Sequence, residues 1–119
     1  MAVTPKQLLT ATTKALDDGK AVDIKVLDVR NLTSMTDYMV FATGRSSRQV
    51  KALAGHVADA ARTLQQRPLG VEGEEAAEWV LIDLGDVIVH VMQSETREFY
   101  QVEKLWETPP HARKTAAVE

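Results

Sequence analysis

Near the start of the chain the apolar positions recur at intervals of three and four. Leu8, Leu9, Thr12, Ala15 and Leu16 share one face at that spacing, which predicts an amphipathic helix over 5–18. Three signals mark its start: Thr4 as a hydroxyl N-cap, Pro5 at the first helical position and Gln7 completing a capping box. Asp17-Asp18-Gly19 closes it, with the glycine expected to supply a left-handed cap. From Val22 the period drops to two: Val22, Ile24, Val26 and Asp28 would share one face of a strand, and Asp23, Lys25, Leu27 and Val29 the other. After polar turn chemistry over 31–37, Tyr38 to Thr43 is apolar almost throughout, the mark of a central strand that Gly44 ends. Ser46 and Gln49 form a second capping box. Behind it Val50, Leu53, Ala54, Val57, Ala61 and Leu64 repeat at helical spacing until Arg67-Pro68-Leu69-Gly70 breaks the pattern.

A Glu-rich connector (Glu72, Glu74, Glu75, Glu78) leads to EWVLIDLGDVIVHVM, residues 78–92. This stretch predicts two strands, Trp79 to Leu84 and Val87 to Met92, reversed at Gly85-Asp86. Ser94 can cap a last helix whose apolar face is Phe99, Val102, Leu105 and Trp106. The order is α-β-β-α-β-β-α, an α/β sandwich with a mixed sheet flanked by helices, in a single domain over 1–107. Residues 108–119 contain two prolines and no apolar periodicity, and are expected to form a disordered tail.

Composition narrows the function. At 119 residues the chain is large enough to bury one core and too small for two. The absence of cysteine removes thiolate catalysis and cysteine-ligated zinc. Residues 1–20 lack the patterns of a signal or transit peptide, and no apolar run reaches membrane-spanning length, so a cytoplasmic setting without membrane contact is expected. A net charge of −3 and an isoelectric point near 5.6, with basic residues scattered singly, argue against direct specific nucleic-acid binding.

The chemistry-bearing residues form three groups. Gly44-Arg45-Ser46-Ser47 joins a strand to a long helix and could hold a phosphate. It lacks the further glycines and the lysine of phosphate-binding loops, so an ordinary helix cap is the better reading. Asp83 and Asp86, with Asp28, Asp37 and His90, invite a two-metal site. The two acids stand three apart across a glycine turn and need not converge, so no metal, cofactor or catalytic residue is expected. His90 alternates with Val89 and Val91 and reads as a satisfied, semi-buried histidine. The third group is the alternation itself: Trp79, Leu81 and Asp83 share a face that combines an indole, an aliphatic side chain and a carboxylate, the mixture of a protein interface. The bland alternative is that the closing helix covers Trp79 as core.

Three motifs in order carry a family resemblance. They are Thr36-Asp37-Tyr38-Met39-Val40-Phe41-Ala42-Thr43-Gly44; Trp79 with Asp83-Leu84-Gly85-Asp86-Val87-Ile88-Val89-His90; and Glu95-Thr96-Arg97-Glu98-Phe99-Tyr100 with Leu105-Trp106. Together they resemble the ribosomal silencing factor family, also called the Iojap family, from the first helix to Trp106, with only the C-terminal tail outside. The resemblance implies a nucleotidyltransferase-like fold without that enzyme activity. It also implies binding to the large ribosomal subunit through ribosomal protein fourteen, a block on subunit joining under nutrient limitation, a link to large-subunit assembly, and frequent homodimers. On this reading Trp79, Leu81, Asp83 and Asp86 form a docking face for a basic ribosomal protein, extended by Arg97 and Tyr100 three apart on the closing helix. The alternatives are a metal-dependent nucleotidyltransferase and a homodimeric scaffold.

Overall fold

A computed structural model describes residues 3–107. The first helix, α1 (Pro5–Asp18), begins as its sequence dictates: Thr4 Oγ1 accepts from Gln7 N at 3.1 Å, and Thr4 N donates to Gln7 Oε1 at 2.9 Å. Leu8, Thr12 and Leu16 are buried on one face. Thr12 can sit in the core because its hydroxyl donates to the Leu9 carbonyl one turn back. The expected left-handed cap falls elsewhere. Gly19 keeps φ −83°, and Lys20 takes the positive φ of 68°. Gly19 instead provides room, since a Cβ there would lie 2.6 Å from Leu53 Cδ2 of the second helix.

That second helix, α2 (Ser47–Thr63), buries Val50, Leu53, Ala54, Val57, Ala58 and Ala61. Ser46 Oγ accepts from Gln49 N as expected, but the Gln49 side chain does not close the box. Its oxygen accepts from Arg45 N, and its nitrogen donates to the Gly19 and Lys20 carbonyls, tying the start of α2 to the end of α1.

Five strands form one mixed sheet: β1 (Val22–Asp28), β2 (Tyr38–Gly44), β3 (Gly70–Glu72), β4 (Trp79–Asp83) and β5 (Val87–Gln93) in the spatial order β1-β2-β5-β4-β3. The β2–β5 pair is parallel and the other three pairs are antiparallel. As its composition requires, β2 is interior and buried along its whole length. The short edge strand β3 lies within what the sequence suggested was only a connector; three residues after a proline are too few to show a period. The even alternation expected for β1 is also broken. Asp23 takes φ 49° and the register slips between Val22 and Lys25, so Val22 pairs with Thr43 and shares a face with Lys25 and Leu27, not with Val26.

Helices flank both faces. One face packs Val40, Ala42, Val80, Ile82, Val89 and Val91 against α1 and α2. The other carries Met39, Phe41, Ile88 and Met92, with Val102 and Trp106 of the C-terminal segment packed on them. That segment is two short helices, α3 (Ser94–Tyr100) and α4 (Glu103–Glu107), separated by Gln101 in a left-handed conformation. The residue before α3 is Gln93, and no side chain caps it, so Ser94 is the first helical residue and not the cap. Residues 108–119, expected to form a tail, lie outside the described residues.

Candidate functional site

Register fixes which side chains share the second sheet face, because residues paired across strands point to the same side. Three rows result. Asp83, Ile88, Met39 and Leu27 form the first; Leu81, His90, Phe41 and Lys25 the second; Trp79, Met92, Thr43 and Val22 the third. The alternation read from the sequence therefore holds: Trp79, Leu81 and Asp83 line one face while Val80 and Ile82 are buried on the other.

Trp79 is half-buried at one end of this face. Its Nε1–H donates to His90 Nδ1 at 3.1 Å, its ring lies 6.0 Å from the His90 ring, and the Tyr100 ring tilts against it at 5.3 Å. His90 is more deeply placed than a semi-buried residue. It is 5% exposed and stacked on Phe41 at 4.6 Å with the planes 10° apart. Burial pushes its imidazole down to about 4, so the ring is neutral at pH 7, and the acceptor role of Nδ1 places the proton on Nε2. Among the described residues Nε2 has no hydrogen-bond partner, so there only one of the two ring nitrogens is paired. The indole is thus partly core and partly surface, held at its nitrogen edge by a buried neutral acceptor.

The loop before β4 contributes to the same fixation. Gly73 sits at φ +88°, and a Cβ on it would collide with the Trp79 carbonyl oxygen. Ala77 N donates to the Gly73 carbonyl at 3.0 Å. The Glu-rich connector is therefore a folded turn that packs on the backbone of Trp79.

At the other end of the face Asp83 is half-buried, and its Oδ1 accepts from Gly85 N at 2.9 Å, which shapes the β4–β5 turn. Asp86 is exposed, and its carbonyl accepts from Asp37 N and Tyr38 N. Asp28 is committed to Arg30, whose hydrogen bonds hold the carboxyl down at about 2. Among the described residues no group of three or more Asp, Glu or His side chains could hold a metal ion.

The C-terminal segment departs most from its expected form. Phe99, expected to face the core, is 79% exposed, and Leu105 is 58% exposed, whereas Val102 and Trp106 do pack on the sheet. Arg97, expected on the docking surface beside Tyr100, turns inward, with its side chain 12% exposed. Its fork grips Glu103 through Nε (2.5 Å) and Nη2 (3.2 Å), and Nη1 donates to Thr43 Oγ1 and the Asp23 carbonyl, both at 2.8 Å. This guanidinium holds the Glu103 carboxyl below its usual range. Lys25 pairs with Glu103 and Glu107 from the neighbouring strand. The physical reason is the break at Gln101. A continuous helix would have shown Arg97 and Tyr100 on one outward side, but the turn at Gln101 places Glu103 against the Arg97 guanidinium. Tyr100 stays 57% exposed beside Trp79.

Comparison with known proteins places this architecture. A family model described as "Ribosomal silencing factor during starvation" matches residues 2–119, past Trp106 where the motif resemblance stopped. The chain is 43% identical over 102 residues to the ribosomal silencing factor of Zymomonas mobilis, covering 86% of this chain and 77% of that protein. It is 39% identical to the Bacillus subtilis ribosomal silencing factor, covering 90% and 91%. A mouse protein named for mitochondrial assembly of the ribosomal large subunit is 36% identical over 76% of this chain and 41% of its own length. A crystal structure from Chromobacterium violaceum superposes with a TM-score of 0.87 at 43% identity, covering 88% of each chain. The chain belongs to the ribosomal silencing factor family.

Proposed function

We propose that this protein binds the large ribosomal subunit through ribosomal protein fourteen and blocks joining of the small subunit by occupying the contact. Repression of translation under nutrient limitation follows from that occupation. Family membership supports the ribosomal setting, and the second sheet face supports the mode. Trp79 and Tyr100 form an aromatic step beside Leu81, with Asp83 and the exposed Asp86 at the far end, which is an apolar centre with an acidic rim suited to a basic ribosomal protein. The observation that carries the reading is the fixation of Trp79 by His90: an indole clamped in one orientation loses little freedom on binding. Arg97 serves this face indirectly, by holding the α3–α4 segment that presents Tyr100.

No chemical step is required, because a protein covering an intersubunit surface acts by exclusion, in a cytoplasmic setting. The name of the mouse relative favours a second role in large-subunit assembly, and a homodimer using the same face would compete with ribosome binding. The test is sedimentation of separated subunits with the purified protein in excess. Joined ribosomes should fall and the protein should travel with the large subunit. An unchanged yield of joined ribosomes rejects the mechanism.

A further inference from the structure

Next to the Trp79–Tyr100 step lies an open cleft of about 350 Å³ lined by Glu78, Gln93, Glu95, Thr96, Phe99 and Tyr100. Among the described residues no lysine or arginine lines it. Its aromatic wall is two rings set edge to face, with centroids 4.9 Å apart and planes at 88°; Phe99 is 79% exposed and Tyr100 57%. Glu78 and Glu95 are exposed, and neither forms an ion pair among the described residues.

Several of these residues have ordinary structural work. Glu95 stands in the first turn of α3, where a carboxylate suits the helix dipole. Gln93 Nε2 donates to the Ala77 carbonyl. A single exposed phenylalanine is unremarkable as well. What these roles leave unexplained is the combination of two contiguous exposed rings, joined through Tyr100 to Trp79, in a concavity whose charged lining residues, among those described, are both carboxylates.

We propose that this cleft receives one basic side chain, a lysine or an arginine, from the protein partner that docks on the Trp79 face. The inference rests on the docking reading above and names the chemistry of one contact within it. A cation over the Phe99 and Tyr100 rings gains from their quadrupoles, and the two carboxylates neutralise its charge while its aliphatic stem covers the rings. An apolar insert would strip water from two carboxylates without pairing them. A nucleic-acid strand would bring phosphates against them.

The experiment measures affinity of the full chain for purified large ribosomal subunits at low and moderate salt. Glu78→Gln with Glu95→Gln should weaken binding about tenfold at low salt and flatten its salt dependence. Phe99→Leu keeps apolar bulk but removes the π face, and should weaken it several-fold. Glu78 lies outside any helix, so Glu78→Gln alone tests the carboxylate without touching α3; circular dichroism and the thermal midpoint confirm that each variant is folded. If these variants bind as tightly as the parent while Trp79→Ala weakens binding, the docking face stands and the cation cleft is wrong. Tighter binding by the double variant would overturn it in favour of a nucleic-acid strand over the cleft. Should the parent chain itself fail to bind large subunits, the docking reading falls and this inference falls with it.

Discussion

His90 makes the stability of this fold depend on pH in a definite window. Its imidazole is 5% exposed, stacked on Phe41, and pushed by burial from the ordinary value of 6.5 down to about 4. The native state holds the ring neutral, whereas the unfolded chain protonates it below about 6.5. As pH falls from 6.5 the unfolded state binds a proton that the folded state refuses, so stability declines with pH. The decline ends near 4, where the folded protein also protonates. A gap of this size corresponds to about 3 kcal/mol, gained in full above pH 6.5 and lost by about pH 4. Glu103 and Asp28 are shifted in the same direction, down from the ordinary carboxylate values, so they too lose stability as pH falls, but only from about 4.5 downwards, at the acid end of the His90 window and below it. The assay is urea unfolding at intervals from pH 7.5 to 4, for the parent and for His90→Phe. The variant should show a flatter profile through the window. It should also be less stable at pH 7 by roughly 1–3 kcal/mol, because the Trp79 N–H loses its acceptor. An NMR titration that places the His90 midpoint near 6.5, or identical pH profiles for the two proteins, would refute the argument.

Three further perturbations test the supports of the site. Gly73→Ala forces a Cβ into the Trp79 carbonyl at a φ that disfavours side chains; it should cost about 2 kcal/mol or more in urea unfolding and shift Trp79 fluorescence. Arg97→Ala leaves Glu103 without its guanidinium and should lower stability by roughly 2–3 kcal/mol, while limited proteolysis should show cleavage around Gln101 that the parent resists. Val57→Ala empties a fully buried site between α2 and the sheet. It should cost about 1–2 kcal/mol and leave the affinity of the folded protein for large subunits unchanged, which makes it the control for Trp79→Ala.

The elements that were legible in advance are those whose signal repeats. The helix α2 declared itself by five turns of one apolar stripe, and β2 by an uninterrupted run that only an interior strand can bury. Trp79, Leu81 and Asp83 could be assigned to one face because a period of two leaves no alternative once the strand is granted. The errors arise where a single residue redirects the chain. Asp23 at φ 49° flips Val22 to the other face of β1, and aspartate carries only a weak preference for that conformation. The three-residue strand β3 has no period to detect, and its pairing with β4 is a long-range contact.

The break at Gln101 has the largest functional consequence. Phe99, Val102, Leu105 and Trp106 satisfy helical spacing, so a continuous helix would bury all four together. Glutamine gives no warning of a left-handed residue, and the helix stops at Tyr100, two residues before Val102 turns inward. What decides the matter is an ion pair that local pattern cannot reveal. Arg97 bonds to Thr43 and to the Asp23 carbonyl, both more than fifty residues away in sequence, and only in that position can it receive Glu103 six residues on. With the chain turned at Gln101, Val102 and Trp106 pack half-buried on the sheet while Phe99 is left on the surface beside Tyr100. The same ion pair that closes the second face of the sheet therefore also creates the exposed aromatic edge next to Trp79. Stability of the C-terminal segment and presentation of the proposed docking surface both depend on one guanidinium.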